Sequence, residues 1–257
     1  MRNVIIPLNA YDNVEVTTNG QESFVKLIAD SGAYGIEIRR ELLPAENGQI
    51  EKIKSEIDQY DLFTVYSAPI ECWKEDGQLN KEQLSEIFQE AVFLGAKWVK
   101  VSLGHFKKNQ SNFVELKKML SQHQDKQLLI ENDQTPYGGN VKHLLAFFES
   151  VTEYEVPVKM TFDAGNWFYT GQDVEEALES LAPHVIYIHL KQVTDELETV
   201  PLQPEGEHSW KKVMGHFPAD IVKALEFPIR PKVKTKDYIQ MIMDLEKERE
   251  GAITCSR

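Results

Sequence analysis

Leu128-Leu129-Ile130-Glu131, Met160-Thr161-Phe162-Asp163, Ile186-Tyr187-Ile188-His189 and Lys223-Ala224-Leu225-Glu226 share one pattern: a run suited to a buried strand, stopped by a side chain able to ligate a divalent metal. A charge at the carboxyl end of an apolar strand is costly unless something compensates it, and one shared cation would compensate all of these at once. Glu131, Asp163, His189 and Glu226 are separated from one another by about one strand–helix repeat each. The pattern points to an enzyme.

Outward from these stretches, short β-branched or aromatic runs alternate with longer amphipathic ones along the whole chain. The alternation predicts strands at 4–8, 35–39, 62–66, 98–102, 127–131, 158–163, 185–189 and 221–226. It predicts helices at 23–30, 50–59, 81–94, 112–122, 141–152, 174–181, 209–217 and 236–247. Asn80 and Asp173 read as N-caps, the latter followed by Glu175 and Glu176 in the first turn, and Gly95 reads as a helix stop. The polar segment 194–208 makes the seventh-to-eighth connection the least regular.

Eight βα units in 257 residues, with no linker and no shift in composition, favour a single (β/α)8 TIM barrel spanning 1–257 over a doubly wound sheet. Hydrophobic residues at 42% are enough to fill such a core. In these barrels chemistry sits at the carboxyl ends of the strands, so the four terminal residues should meet around one mouth.

Charge narrows the partners. Twenty-eight Lys and Arg against 41 Asp and Glu leave a formal charge of −13, which repels phosphate backbones and anionic headgroups, so neither nucleic acid nor a membrane is an expected partner. The basic run 230–236 is read as a solvated loop rather than a polyanion site. Cys72 and Cys255 form no disulfide framework or zinc motif, and the amino terminus shows no signal-peptide pattern; a cytoplasmic location is expected.

Three hard oxygens and one imidazole suit Mn²⁺ first, with Mg²⁺, Co²⁺ or Zn²⁺ tolerated. Taken singly, each residue is equally a strand-end carboxylate in a salt bridge or a core histidine. Their recurrence in successive units favours one divalent metal ion held by Glu131, Asp163, His189 and Glu226.

The motifs Leu129-Ile130-Glu131-Asn132, Thr161-Phe162-Asp163-Ala164-Gly165-Asn166, Ile188-His189-Leu190-Lys191 and Leu225-Glu226 resemble those of the xylose isomerase-like sugar phosphate isomerase/epimerase superfamily. Stretches 36–42, 72–80, 131–136 and 160–167 are more closely similar to the epimerase-like proteins of 2-ketogluconate-utilisation clusters. The resemblance covers essentially the whole chain and implies a metal-dependent isomerase or epimerase in which Glu131 and Glu226 are also the acid and base. It implies a small sugar or sugar acid as substrate, and barrels of this kind often pair, so a homodimer is compatible with it. Asn166 stands where the family often has His, and so does Asp133, so the substrate contacts of those two places do not carry over intact.

Other strand ends supply candidate substrate contacts. Glu37 and Arg39 alternate so as to point one way on the second strand, where a barrel-core ion pair explains them equally well, and Lys100 lies on the fourth. Lys191 could orient an acid or phosphate group or be a surface lysine. Asn166 follows Asp163 in the second motif, and Trp73, Trp167 and Phe168 are expected in loops where they could stack on a sugar. Gly138-Gly139 reads as a turn rather than a phosphate loop. The same superfamily includes dehydratases of keto-polyols, which would expel water from the same intermediate, and apurinic endonucleases rich in histidine. A non-catalytic sugar-binding barrel is the reading from a different class.

Overall fold

The computed structural model describes residues 2–44 and 48–255. Eight parallel strands close into a barrel: β1 (Val4–Pro7), β2 (Gly35–Arg39), β3 (Phe63–Trp73), β4 (Trp98–Gly104), β5 (Gln127–Glu131), β6 (Val158–Asp163), β7 (Val185–Leu190) and β10 (Val222–Leu225). A hairpin of β8 (Gln192–Val193) and β9 (Thr199–Val200) rises between β7 and β10 within the polar segment. Helices α2 (Glu22–Asp30), α3 (Gln49–Tyr60), α4 (Lys81–Leu94), α5 (Phe113–Leu120), α6 (Val141–Glu153), α8 (Val174–Leu181), α9 (Ser209–His216) and α10 (Thr235–Cys255) agree with the sequence periodicity. The short helices α1 (Asn13–Asn19) and α7 (Asn166–Thr170) carry too few turns to show it.

Strand alternation divides the apolar residues into two layers. Val99, Val101, Leu128, Ile130, Met160, Phe162, Ile188 and Leu190 face outward to the helices, joining Phe88, Leu144 and Phe147 in the main core. Ile5, Val65, Leu129, Tyr187 and Ala224 fill the barrel interior, with Phe63 and Trp98 stacked edge-on at 4.8 Å at the amino-terminal end. Gly35 lets β2 and β3 close up, because a Cβ there would lie 2.1 Å from the Phe63 carbonyl oxygen.

Three sequence expectations change. The third strand runs seven residues past 66, through Pro69, because the ladder shifts register between Ser67 and Glu71 and a proline without an N–H is tolerated at such a bulge. Trp73 therefore lies in β3, not in a loop; it is wholly buried against Phe106 and Phe113 and has no face for a sugar. Asn80 sits before α4 without capping it, since its amide donates to the Glu71 carbonyl and Gln83 Oε1. Asp173 does cap α8, accepting from the amides of Glu175 and Glu176, and Gly95 ends α4 at φ 80°. The basic run is stitched to α1 by Arg230 with Asp12 and Lys232 with Glu15. No helix among the described residues is long and apolar enough to cross a membrane.

Candidate metal centre at the barrel mouth

Asp163 and His189 are register partners at the ends of β6 and β7. Glu131 ends β5 on one side of this pair, and Glu226 follows β10 on the other, its amide bonded to the Leu190 carbonyl. One ligand atom from each of the four lies within 4.8 Å of all the others. The imidazole Nδ1 of His189 faces the three acids, at 3.1 Å from Glu131 Oε1, 3.2 Å from Glu226 Oε2 and 3.8 Å from Asp163 Oδ2.

The arrangement fits a divalent cation. Glu131 Oε1 and Asp163 Oδ2 are buried without an aligned hydrogen bond and face positively charged or chargeable groups, His189 Nδ1 at 3.1 Å and Lys191 Nζ at 2.9 Å, the surroundings a cation would share. Asp163 shows how such an oxygen is aimed: β6 stops at Asp163 and α7 starts at Asn166, so the amides of Gly165 and Asn166 both donate to Oδ1 at 2.8 Å and leave Oδ2 turned to the mouth. Asn132 fixes the same strand end, exchanging bonds with the Asp163 amide and carbonyl. On His189 the other nitrogen, Nε2, meets Glu37 Oε2 at 3.1 Å, which holds the ring with Nδ1 toward the acids.

Buried cations share the mouth with these acids. Lys100 Nζ lies 2.7 Å from Glu131 Oε2 and 3.2 Å from Glu37 Oε1. Arg39 bridges Glu37 at 2.9 Å and Glu226 at 3.2 Å, and Lys191 bridges Asp163 at 2.9 Å and Glu226 at 2.8 Å. Burial opposes ionisation of Glu226, yet Lys191 and His189 outweigh it and hold the carboxyl well below its ordinary range. Burial pushes Asp163 up to about 6, with Lys191 opposing and Glu226 adding to the rise. Burial and Lys100 disfavour a charged His189, but Glu37, Glu226 and Glu131 prevail and push it up to about 9.

A metal ion and a proton compete for Nδ1, so Mn²⁺ binding is expected to release about one proton near neutral pH and to tighten up to tenfold per pH unit as pH rises toward 9. Titration calorimetry in buffers of different ionisation enthalpy measures that proton. An affinity flat between pH 6.5 and 9 would contradict the assignment of Nδ1 as the ligand atom.

Glu37, Arg39, Lys100, Lys191 and Asn166 thus all lie at or beneath the four-residue cluster. Glu37 makes the barrel-core ion pair with Arg39, and its other oxygen meets His189. Asn166 is turned inward: its Oδ1 accepts from Gln134 and Lys191 and its Nδ2 donates to the Asn132 carbonyl. Trp167 does not reach the mouth; it is fully buried, 5.3 Å from the outward-facing Phe162, because α7 turns it into the helix layer. Gly138 and Gly139 make a turn over Asp133, whose side chain and backbone leave no room for a Cβ at either position.

Three participants were missed in the sequence. Asn9, just beyond β1, donates to Glu226 Oε1 at 2.9 Å; Tyr187 donates to Glu37 Oε2 at 2.8 Å; Asn132 orients Asp163. Position alone signals all of them, since Asn9 and Asn132 follow strand ends and Tyr187 precedes His189 by two on the same face.

No protein-family model matches the chain, and no curated protein does. Solved structures do. The apo 3-keto-D-glucoside 4-epimerase YcjR from E. coli superposes with a TM-score of 0.64 at 14% identity, over 95% of this chain and 100% of that one. Endonuclease IV from Thermus thermophilus gives 0.66 at 17%, over 96% and 99%. A xylose isomerase domain protein from Planctomyces limnophilus gives 0.62 at 14%, over 96% of each. The chain has the xylose isomerase-like barrel fold. At such identities the likeness establishes the fold, and the chemistry has to be argued from the mouth itself.

Proposed function

We propose that this barrel is a divalent-metal-dependent isomerase or epimerase of a keto sugar or keto sugar acid, with Glu131 and Glu226 as its acid and base. The observation that carries the reading is where these two glutamates sit. β5 and β10 flank β6 and β7, so Glu131 and Glu226 stand on opposite sides of the Asp163 and His189 pair. Their side chains keep 16% and 10% exposure while those of Asp163 and His189 keep none, so the glutamates are the members of the cluster a substrate can touch.

A bound divalent cation would supply positive charge to the oxygens of an enediolate. Glu226, ionised by its neighbours, is suited to remove the proton from the carbon between a carbonyl and a hydroxyl. Glu131, across the mouth, is to enter the step protonated and give that proton to the other face, which inverts the carbon and leaves Glu226 protonated and Glu131 ionised beside Lys100. Delivery to the adjacent carbon would move the carbonyl instead. Arg39 and Lys100 hold the two carboxylates in position, and Glu37 holds His189. The 3-keto-D-glucoside 4-epimerase that shares the fold supports chemistry next to a sugar carbonyl. The endonuclease reading is weaker, because His189 is the single histidine of the cluster and the chain carries a charge of −13.

Incubation with Mn²⁺, a panel of keto sugars and keto acids with their phosphates, and deuterated water tests the proposal. Deuterium entering at an inverted carbon is the expected result. Net loss of water would assign a dehydratase, and no exchange with any member would leave a sugar-binding barrel.

A further inference from the structure

Lys191 has an unusual placement for the residue after a strand. It lies just past β7, two positions beyond His189, and is 8% exposed. Its stem runs over Gly165, where an added Cβ would come within 2.7 Å of Lys191 Cδ and 2.8 Å of Val193 Cγ2; Gly165 has an ordinary φ of −98°, so room for these two side chains, not backbone conformation, requires the glycine. The lysine's track is therefore built into the β6–α7 turn.

The oxygens it contacts matter more. Asp163 Oδ1 is held by two amides, and Glu226 Oε1 by Asn9 and Arg39, so Asp163 Oδ2 and Glu226 Oε2 are the oxygens left facing the cluster. Lys191 Nζ sits on those two, at 2.9 and 2.8 Å. An ammonium and a divalent cation cannot both occupy them, because the two positive charges would lie a few ångströms apart in a poorly screened site. Arg39 and Lys100 retain Glu37, which is not in the four-residue set, whereas among the described residues Lys191 pairs with no carboxylate outside that set. Once displaced it keeps Asn166 Oδ1, at 3.2 Å, as a neutral partner.

We propose that Lys191 is a displaceable cation: a divalent ion takes over its two carboxylate oxygens, and the freed ammonium becomes the binding group for an anionic substituent on the sugar. Charge agrees with this. Arg39 keeps Glu37 and Glu41 and Lys100 keeps Glu37, so a divalent ion on Asp163 and Glu226 leaves Lys191 as the ammonium without a carboxylate. A neutral ketose leaves that ammonium unpaired, and a carboxylate or phosphate pairs it. The inference rests on the metal-binding reading above and narrows its substrate class to anionic keto sugars.

Calorimetric titration of Mn²⁺ alone, then of unreactive probes into Mn²⁺-loaded protein, tests it. Lys191→Met and Lys191→Gln are expected to bind Mn²⁺ about tenfold more tightly than wild type, because a competing charge is gone. Loaded wild type is expected to prefer gluconate or glucitol 6-phosphate over neutral glucitol by about tenfold or more, and both variants to lose that preference. The probe that gains more, aldonate or phosphate ester, identifies the anion. Weaker Mn²⁺ binding by both variants, with melting temperatures unchanged, would make Lys191 a brace for the ligands and overturn the proposal, as would equal binding of charged and neutral probes by wild type. A wild type that binds no Mn²⁺ would instead bring down the metal reading beneath it.

Discussion

Glu226→Gln is expected to lower substrate proton exchange by about 10³-fold while the barrel stays folded, a loss within the usual range for removing a general base. Glutamine is nearly the shape of glutamate, but it cannot take a proton and offers a far weaker ligand to a cation. Stability should change little, because every cation that loses Glu226 keeps another acid. Arg39 retains Glu37 and Glu41, and Lys191 retains Asp163. Relief of repulsion within the acid cluster offsets part of what is lost, so the cost should be about 1–2 kcal/mol, a few degrees in melting temperature. Deuterium wash-in and thermal melts on the same preparation separate the two effects. Exchange within tenfold of wild type would remove Glu226 from the chemistry.

Glu37→Gln is expected to do the reverse damage, chiefly to stability and metal affinity. Glu37 is completely buried and is contacted by Arg39, Lys100, His189 and Tyr187. Burial alone would raise its carboxyl, but Lys100, His189 and Arg39 hold it far below the ordinary range, so it is ionised at any working pH. Neutralising it leaves an excess of buried positive charge, and breaking such a network costs about 3–5 kcal/mol, or roughly 10 °C in a chain this long. Loss of the carboxylate behind Nε2 also frees the His189 ring, which should weaken Mn²⁺ by about 10- to 100-fold. Thermal melts and Mn²⁺ titrations read the two losses. A variant with wild-type melting and wild-type Mn²⁺ affinity would show that Glu37 is a bystander.

What could be read in the sequence follows from what a strand imposes locally. Period-2 alternation and an abrupt charged stop are written in consecutive residues, so the ends of β5, β6 and β7, and Glu226 just past β10, were legible together with the barrel that gathers them. The same alternation placed Glu37 with Arg39. It does not say which neighbour a side chain will meet, so the contact of Glu37 with His189, across 152 positions of sequence, required the closed barrel. Trp73 and Trp167 were misplaced because an aromatic next to a strand end looks alike whether it faces the mouth or the helices. Pro69 concealed the continuation of β3 at its bulge, and α7 turned Trp167 outward. Asn9 and Asn132 also follow strands, but a neutral amide makes no abrupt charged stop, so neither stood out as a participant.

The central claim is that Glu131, Asp163, His189 and Glu226 grip one cation. A crystal structure of the Mn²⁺-soaked protein, with data collected at the manganese absorption edge, tests it most directly. The account predicts a single anomalous peak at the mouth, bonded to a carboxylate oxygen from each acid and to His189 Nδ1, with Lys191 Nζ moved off Asp163 and Glu226. Saturating manganese that leaves this cluster without a peak, and Lys191 still bridging the two carboxylates, would contradict it.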